Sequence, residues 1–179
     1  MWSVSIDDWE WEFNERTGEV IAQNEEAVNL LEEITLKTYH NTRYGYYLDY
    51  PPSWTINDED KSKVWIFPGS SEEGEAFVYI HVIEKVELAP FEGLQGYMVE
   101  KLSLLQSLCH EFELIEATTS SIHYIYRLLS DSLKHEAKRY YVEYGSEVYE
   151  IVSSGTYAYD EYYSLSFLYD PFDSFRFQP

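Results

Sequence analysis

Alternating apolar and polar residues recur along most of this chain, a pattern that predicts β-strands. The predicted strands are residues 44–50, 53–56, 64–67, 76–83, 112–117, 122–129, 137–144 and 147–153. Residues 57–61 predict a turn, and Gly145 predicts a hairpin between the last two strands. Because residues 76–83 are apolar on both sides, their sheet needs cover on both faces. Two arrangements satisfy this need: helices on each side, or a helix on one side and strands on the other.

Helical spacing replaces the alternation in two segments. Apolar residues recur at steps of three and four between Leu94 and Phe112, which predicts a helix from Phe91 to about His110. Residues 160–169 carry a shorter stretch of the same spacing, which Pro171 ends. Residues 172–177 then predict a closing aromatic strand or segment. The mixture of strands and helices predicts an α+β protein.

Residues 1–34 read as an acidic extension, separate from a main domain at residues 35–179. Trp9, Trp11 and Phe13 alternate with glutamates, which predicts one strand, and residues 19–22 predict its hairpin partner. Residues 25–34 predict a short helix that Asn24 caps. Because an isolated hairpin is marginally stable in water, we expect these tryptophans to pack on the main domain or on a partner chain.

The formal net charge of −21, from 33 acidic and 12 basic residues, excludes some partners. A surface of this sign repels nucleic-acid backbones and anionic membranes, so we expect neither as a partner. Three explanations for the acidity remain open at this point. It keeps the chain soluble, it binds a basic partner or cations, or it is an adaptation to high salt.

Cys109 is the only cysteine, so the chain forms no internal disulfide, and its place on the predicted helix favours a buried apolar role. No apolar run approaches the length of a membrane span. The first residues show no signal-peptide pattern, so export would require a signal or lipid anchor outside this sequence.

One stretch points to a family. An aromatic-Gly-aromatic strand runs into Tyr-Pro-x-x-Trp at Tyr44, Gly45, Tyr46, Leu48, Tyr50, Pro51 and Trp54. With the helix that follows and the late pair Ser174-Phe175, this order resembles the PsbP/Mog1-like superfamily over roughly residues 36–177. The resemblance implies a twisted, mostly antiparallel sheet between helices, an α/β/α sandwich.

What the resemblance implies about function is less definite, because a fold hosts many functions. Plant and cyanobacterial members of the superfamily look after photosystem II, a eukaryotic member binds a small GTPase, and many bacterial members are uncharacterised extracytoplasmic lipoproteins. None of their functional sites matches this chain residue by residue.

The candidate site residues are aromatic and histidine side chains. No metal-ligand spacing, phosphate loop or nucleophile elbow occurs, so the sequence predicts no cofactor, no metal and no catalytic centre. Trp2, Trp9 and Trp11 are candidate contacts for a protein partner, since tryptophans surrounded by charge are typical binding anchors. His81, His123 and Tyr79 are candidates for a tyrosine-lined cleft.

The sequence therefore favours a non-catalytic protein-binding or assembly module. By family resemblance this is the soluble domain of a bacterial lipoprotein or secreted protein, outside the cytoplasm, with an unidentified protein partner. One alternative is a small-molecule binder or enzyme that uses a cleft near His81 or His123. Another is a cytoplasmic adaptor whose acidic face meets a basic protein.

Overall fold

A computed structural model describes residues 2–6, 9–14, 19–22, 36–52, 54–68, 76–130, 132–156 and 171–178. The strands of these ranges are β1 (Trp2–Ile6), β2 (Trp9–Asn14), β3 (Glu19–Ala22), β4 (Lys37–Asn41), β5 (Tyr46–Tyr50), β6 (Trp54–Asp60), β7 (Lys63–Pro68), β8 (Ala76–Glu84), β9 (Cys109–Ala117), β10 (Ser121–Leu128), β11 (His135–Tyr144), β12 (Glu147–Thr156) and β13 (Arg176–Phe177). The helices are α1 (Leu94–Ser107) and α2 (Pro171–Ser174), and Lys85–Phe91 forms a 3-10 helix.

Seven strands form the main sheet, in the order β6-β7-β8-β12-β11-β10-β9. Every neighbouring pair is antiparallel, and the predicted hairpin is the pairing of β11 with β12 around Gly145. Two smaller sheets have the orders β13-β5-β4 and β1-β2-β3. This large antiparallel sheet with its few helices confirms the predicted α+β class.

One face of the main sheet packs against the sheet β13-β5-β4, and we call it the sandwich face. Its core consists of alternate apolar residues of β7, β8 and β12 with tyrosines and a leucine of the small sheet, namely Val64, Ile66, Val78, Ile80, Val82, Tyr149, Ile151, Tyr39, Tyr46 and Leu48. The other face packs against α1 and the 3-10 helix, and we call it the helix-side face. Of the two arrangements open from the sequence, the described residues therefore adopt a helix on one side and strands on the other.

The family motif has a structural role in the small sheet. Tyr46 and Leu48 point into the sandwich core, while Trp54 begins β6 directly after the two prolines and donates its backbone N–H to Pro51 at 3.0 Å. Near the chain's end, Ser174 Oγ accepts a hydrogen bond from the Asp49 backbone N–H at 3.1 Å. The motif strand β5 is thus bonded to Ser174 of the late Ser-Phe pair and, directly after that pair, to β13.

The structure corrects three expectations about element boundaries. The predicted helix from Phe91 to His110 is shorter, because Glu92 and Gly93 have φ of 60° and 101° and interrupt helical geometry before α1 begins at Leu94. Cys109 is the first residue of β9 and not part of a helix. The predicted turn at residues 57–61 is largely strand, since β6 continues to Asp60 before the chain reverses.

The remaining predictions concern the first strand pair, the closing segment, two short helices and the domain boundary. The strand pair expected near residues 9–13 and 19–22 is present as β2 and β3, and β1 adds a third strand on the other side of β2. The predicted closing segment forms α2 followed by the two-residue strand β13. The predicted helices at residues 25–34 and 160–169 lie outside the described residues, and a domain boundary at residue 34 stays a prediction.

Candidate functional site

Helix α1 covers only part of the helix-side face. Its side chains Tyr97 and Met98 are buried against residues of β10, β11 and β12, and Gln95 donates to the Thr119 backbone oxygen in the turn between β9 and β10. On the β7–β8 side of the same face, Trp65 keeps 40% of its surface exposed. Among the described residues, the face is therefore divided into a covered half, at β9–β12 and Ile83 of β8, and a more open half around Trp65 of β7 and the start of β8.

The open half presents three aromatic rings, Trp65, Phe77 and Tyr79, which we call the aromatic patch. Trp65 and Tyr79 are opposite each other in the β7–β8 ladder, and Phe77 lies two residues before Tyr79 on the same face. The ring centroid of Trp65 is 4.3 Å from that of Tyr79 and 5.3 Å from that of Phe77. Antiparallel pairing of two aromatic-rich strands is sufficient to assemble this patch.

Next to the aromatic patch, a polar network is centred on Glu150 of β12, which is only 2% exposed. Arg139 of β11 forms an ion pair with Glu150 Oε1, and the Tyr141 hydroxyl donates to the same oxygen at 3.0 Å. The Tyr97 hydroxyl donates to Oε2 at 3.4 Å, and His81 Nδ1 lies 3.4 Å from Oε2. Four side chains from β8, α1 and β11 thus converge on one buried carboxylate.

The network keeps Glu150 ionised. Burial raises the pKa of this carboxyl, but hydrogen bonds from His81, Arg139 and Tyr141 and the charge of Arg139 outweigh it and lower the pKa to about 2. Because an ionised carboxylate only accepts hydrogen bonds, His81 must present a protonated Nδ1 to it. The position of the His81 ring is therefore set by a buried anion.

The charge of Glu150 also affects the aromatic patch. Burial and, second to it, the negative charge of Glu150 raise the pKa of Tyr79 to about 12. The charge of Arg139 lowers this pKa, and the charge of Asp60 raises it. At neutral pH the Tyr79 hydroxyl is therefore un-ionised and available as a hydrogen-bond donor. The ring of Tyr79 stacks with His81 at a centroid distance of 6.0 Å, which connects the patch to the network.

The residues predicted for a cleft do not form one site. Tyr79 and His81 lie together on the helix-side face. His123 lies on the opposite face, because it pairs in register with Lys138 of β11, whose neighbour Arg139 faces the network. There His123 Nε2 is 2.6 Å from Glu136 Oε1.

The other residues singled out from the sequence are three tryptophans and Cys109. The side chains of Trp2, Trp9 and Trp11 are outside the described part of the structure, so their role stays a prediction. Burial raises the pKa of the Cys109 thiol, which agrees with the apolar role expected for it.

Sequence reasoning missed Glu150, Arg139 and Trp65. A signal for Glu150 is present, because it is the one charged residue in the apolar run 148–152, where burial is expected. Arg139 was not recognised because it ends the basic stretch of residues 134–139, and such a stretch is usually exposed to solvent. Pairing of these two residues depends on the β11–β12 register, which brings Tyr141 opposite Glu150 and Arg139 two residues away.

Neither a metal site nor a membrane-spanning helix is present within the described ranges. No three His, Cys, Asp or Glu side chains there are grouped as a metal site needs. None of the helices in this part of the chain has the length and apolar character that a membrane crossing requires.

Comparison with known proteins gives a likeness in shape. No protein-family model matches the chain, and no curated protein matches its sequence. The structure is similar to that of the Ran-binding protein Mog1p of Saccharomyces cerevisiae, with a TM-score of 0.49 and 8% identity over 80% of this chain and 95% of that one. A solved Mog1 mutant gives a TM-score of 0.48 and 9% identity over 80% and 96%. With both TM-scores below 0.5 and identities of 8% and 9%, no conclusion about family or function follows from this likeness.

Proposed function

We propose that this protein is a non-catalytic protein-binding or assembly module whose partner contacts the aromatic patch. The observation that carries the proposal is the 40% exposure of Trp65 beside Phe77 and Tyr79, on the half of the helix-side face that α1 leaves open. Tryptophan and tyrosine are the residues that most often dominate binding energy at protein interfaces. Exposed aromatic rings in contact with each other bury a large apolar area when a partner covers them.

The network under the patch supports the same function. Glu150 and its hydrogen-bond partners fix His81, and His81 stacks on Tyr79, so the patch lies on a side-chain arrangement with little freedom. A surface that is already ordered loses less conformational entropy on binding. The buried ion pair thus prepares the patch for a partner.

Site-specific crosslinking in the native cell tests this proposal. A photoreactive amino acid placed at Trp65 or Tyr79 should form a covalent adduct with a partner protein. Tyr144 is the matched control, because it is an aromatic residue with 50% exposure at the end of β11, where it stacks on Phe177 instead of joining the patch. The proposal fails if positions 65 and 79 give no adduct, or if position 144 gives the same adducts.

We also propose an extracytoplasmic location, as in the bacterial lipoproteins of the superfamily, with a cytoplasmic adaptor as the alternative. The support is the family resemblance of the sequence. The complete gene distinguishes the two, because an upstream signal with a lipobox cysteine would place the protein outside the cytoplasm and its absence would favour the adaptor.

A small-molecule site at His81 is a second candidate function. The observation that favours it is the convergence of Arg139, Tyr97, Tyr141 and His81 on a buried carboxylate, an arrangement frequent at ligand sites. Screening small polar and aromatic compounds by NMR, with the His81 ring resonances as the readout, tests this function. A screen in which no compound shifts these resonances eliminates it.

A further inference from the structure

We propose that the aromatic patch binds an arginine-bearing segment of the partner, with the guanidinium group stacked on the exposed ring of Trp65. This inference rests on the proposed function and adds the chemistry of the partner to it. The planar guanidinium ion stacks on aromatic faces more favourably than the compact ammonium ion of lysine.

The charges around the patch favour a cationic occupant. The chain as a whole carries a net charge of −21, so a cationic segment is attracted from a distance. Within the described structure, β6 ends in the acidic run Asp58, Glu59 and Asp60, next to the strand that carries Trp65, and Lys61 forms an ion pair with Asp58 of this run. The negative charge of Asp60 reaches the hydroxyl of Tyr79.

Cationic groups also lie near the patch. Arg139 forms an ion pair with the buried Glu150. Lys63 lies opposite Asp60 in the β6–β7 ladder and opposite His81 in the β7–β8 ladder, so its charge and that of Asp60 offset each other. The attraction of an arginine to Trp65 therefore comes from the net charge of the whole chain, and stacking on the ring decides between arginine and lysine.

The chain shows the same contact elsewhere within itself. The Arg176 guanidinium carbon lies 5.6 Å from the ring centroid of Tyr47, and that of Arg43 lies 5.2 Å from the ring centroid of Tyr44. Arg176 also donates to the Asp49 carboxylate, at 2.9 and 3.1 Å. Arg176 thus shows, within this chain, that a guanidinium group packs on an aromatic ring while it pairs with a carboxylate.

Two synthetic peptides of equal charge test the inference. Fluorescein-labelled Arg-Gly-Arg-Gly-Arg-Gly-Arg and Lys-Gly-Lys-Gly-Lys-Gly-Lys are titrated with the protein at 0.15 M salt, and binding is followed by anisotropy. We expect the arginine peptide to bind about 3- to 10-fold more tightly, since one or two stacked guanidinium groups contribute this much at exposed sites. Equal affinities of the two peptides would overturn the inference.

Variants separate stacking from general charge attraction. Trp65→Ala should abolish the preference for arginine while weak binding of both peptides through charge remains, and Trp65→Phe should restore part of it. Tyr144→Ala, which removes an exposed aromatic ring outside the patch, should leave the preference unchanged. Asp60→Asn should weaken both peptides and reduce the dependence of binding on salt. A preference for arginine that survives Trp65→Ala contradicts the inference.

Two further outcomes keep the inference distinct from the proposed function. Adducts at position 65 in cells, together with equal affinity for the two peptides, would retain a protein partner but reject arginine stacking. The absence of adducts together with an arginine preference would reject the proposed function alone. Sedimentation of the wild type tests a second copy as occupant, because a dimer that Trp65→Ala dissociates would assign the patch to self-association and overturn the inference.

Discussion

The two faces of the main sheet bury the same strands in different ways. On the sandwich face, Val64, Ile66 and Ile80 are fully enclosed by the small sheet, and the core there is apolar apart from tyrosine hydroxyls and the side chain of Asn41 at its margin. On the helix-side face, the same strands β8 and β12 contribute His81 and Glu150 to a polar network, and one half of the surface stays open.

The polar network gives the helix-side face an energetic cost that the sandwich face does not carry. Burying a carboxylate and a guanidinium group requires removal of their water, and a well-packed apolar pair of similar volume is often equally stable or more stable. The sandwich face has no comparable feature among the described residues. A polar network at the margin of an exposed aromatic surface is therefore better explained by function than by stability.

The largest effect is expected from removal of Glu150. Glu150→Ala leaves the largely buried Arg139 without its counter-ion and removes the acceptor of the Tyr97 and Tyr141 hydroxyls, so the free energy of unfolding should fall by about 3–5 kcal/mol. Urea unfolding measures the change. The double variant Glu150→Leu with Arg139→Met should be much closer to wild type, and a double variant as unstable as Glu150→Ala would show that the pair stabilises the fold outright.

Acid should remove the stabilising contribution of Glu150 on the helix-side face. The pKa of Glu150 is about 2 in the folded protein against 4.5 ordinarily, so its contribution is complete above pH 4.5 and is lost as pH falls from about 4.5 to 2. This pKa difference corresponds to about 3 kcal/mol. In unfolding experiments, the stability difference between wild type and Glu150→Gln should shrink across this range, whereas a difference that is constant with pH would contradict the assignment.

Smaller and equal effects are expected where both faces are apolar. Ile80 lies in the sandwich core and Ile83 lies in the core under the 3-10 helix and α1, and both are fully buried. Loss of one methyl group by Ile80→Val or Ile83→Val should lower the free energy of unfolding by about 0.5–1.5 kcal/mol each. A much smaller effect of Ile83→Val would mean that the helix-side core is loosely packed even in its covered half.

The sequence predicted the architecture better than the site. Alternation located most strands of the main sheet, because burial on at least one face imposes a period of two on their residues. The boundary errors arose where local backbone geometry decided the outcome. Leu108, Cys109 and Phe112 fit a helical stripe, but pairing of Cys109 with Leu128 places this segment in β9.

The site was only partly predictable for a different reason. Tyr79 and His81 are two residues apart in one strand, so their common face follows from the sequence. The pairing of Arg139 with Glu150 and the stacking of Trp65 on Tyr79 depend on strand neighbours and register, which alternation does not specify. The sequence pattern therefore predicts which residues are buried, whereas the contacts between them follow only from strand order and register.

Relative to the size of the side chain removed, the smallest effect on stability is expected from Trp65, the residue that we propose as the main contact for a partner. Trp65→Ala removes a ring that keeps 40% of its surface exposed, so the fold loses part of an apolar surface and the contacts with Phe77 and Tyr79, about 1–2 kcal/mol. Urea unfolding should place this variant near Ile80→Val, while the preference for the arginine peptide is lost. A destabilisation of 3 kcal/mol or more would mean that Trp65 is a core residue, and the open half of the helix-side face would then no longer differ in kind from the sandwich face.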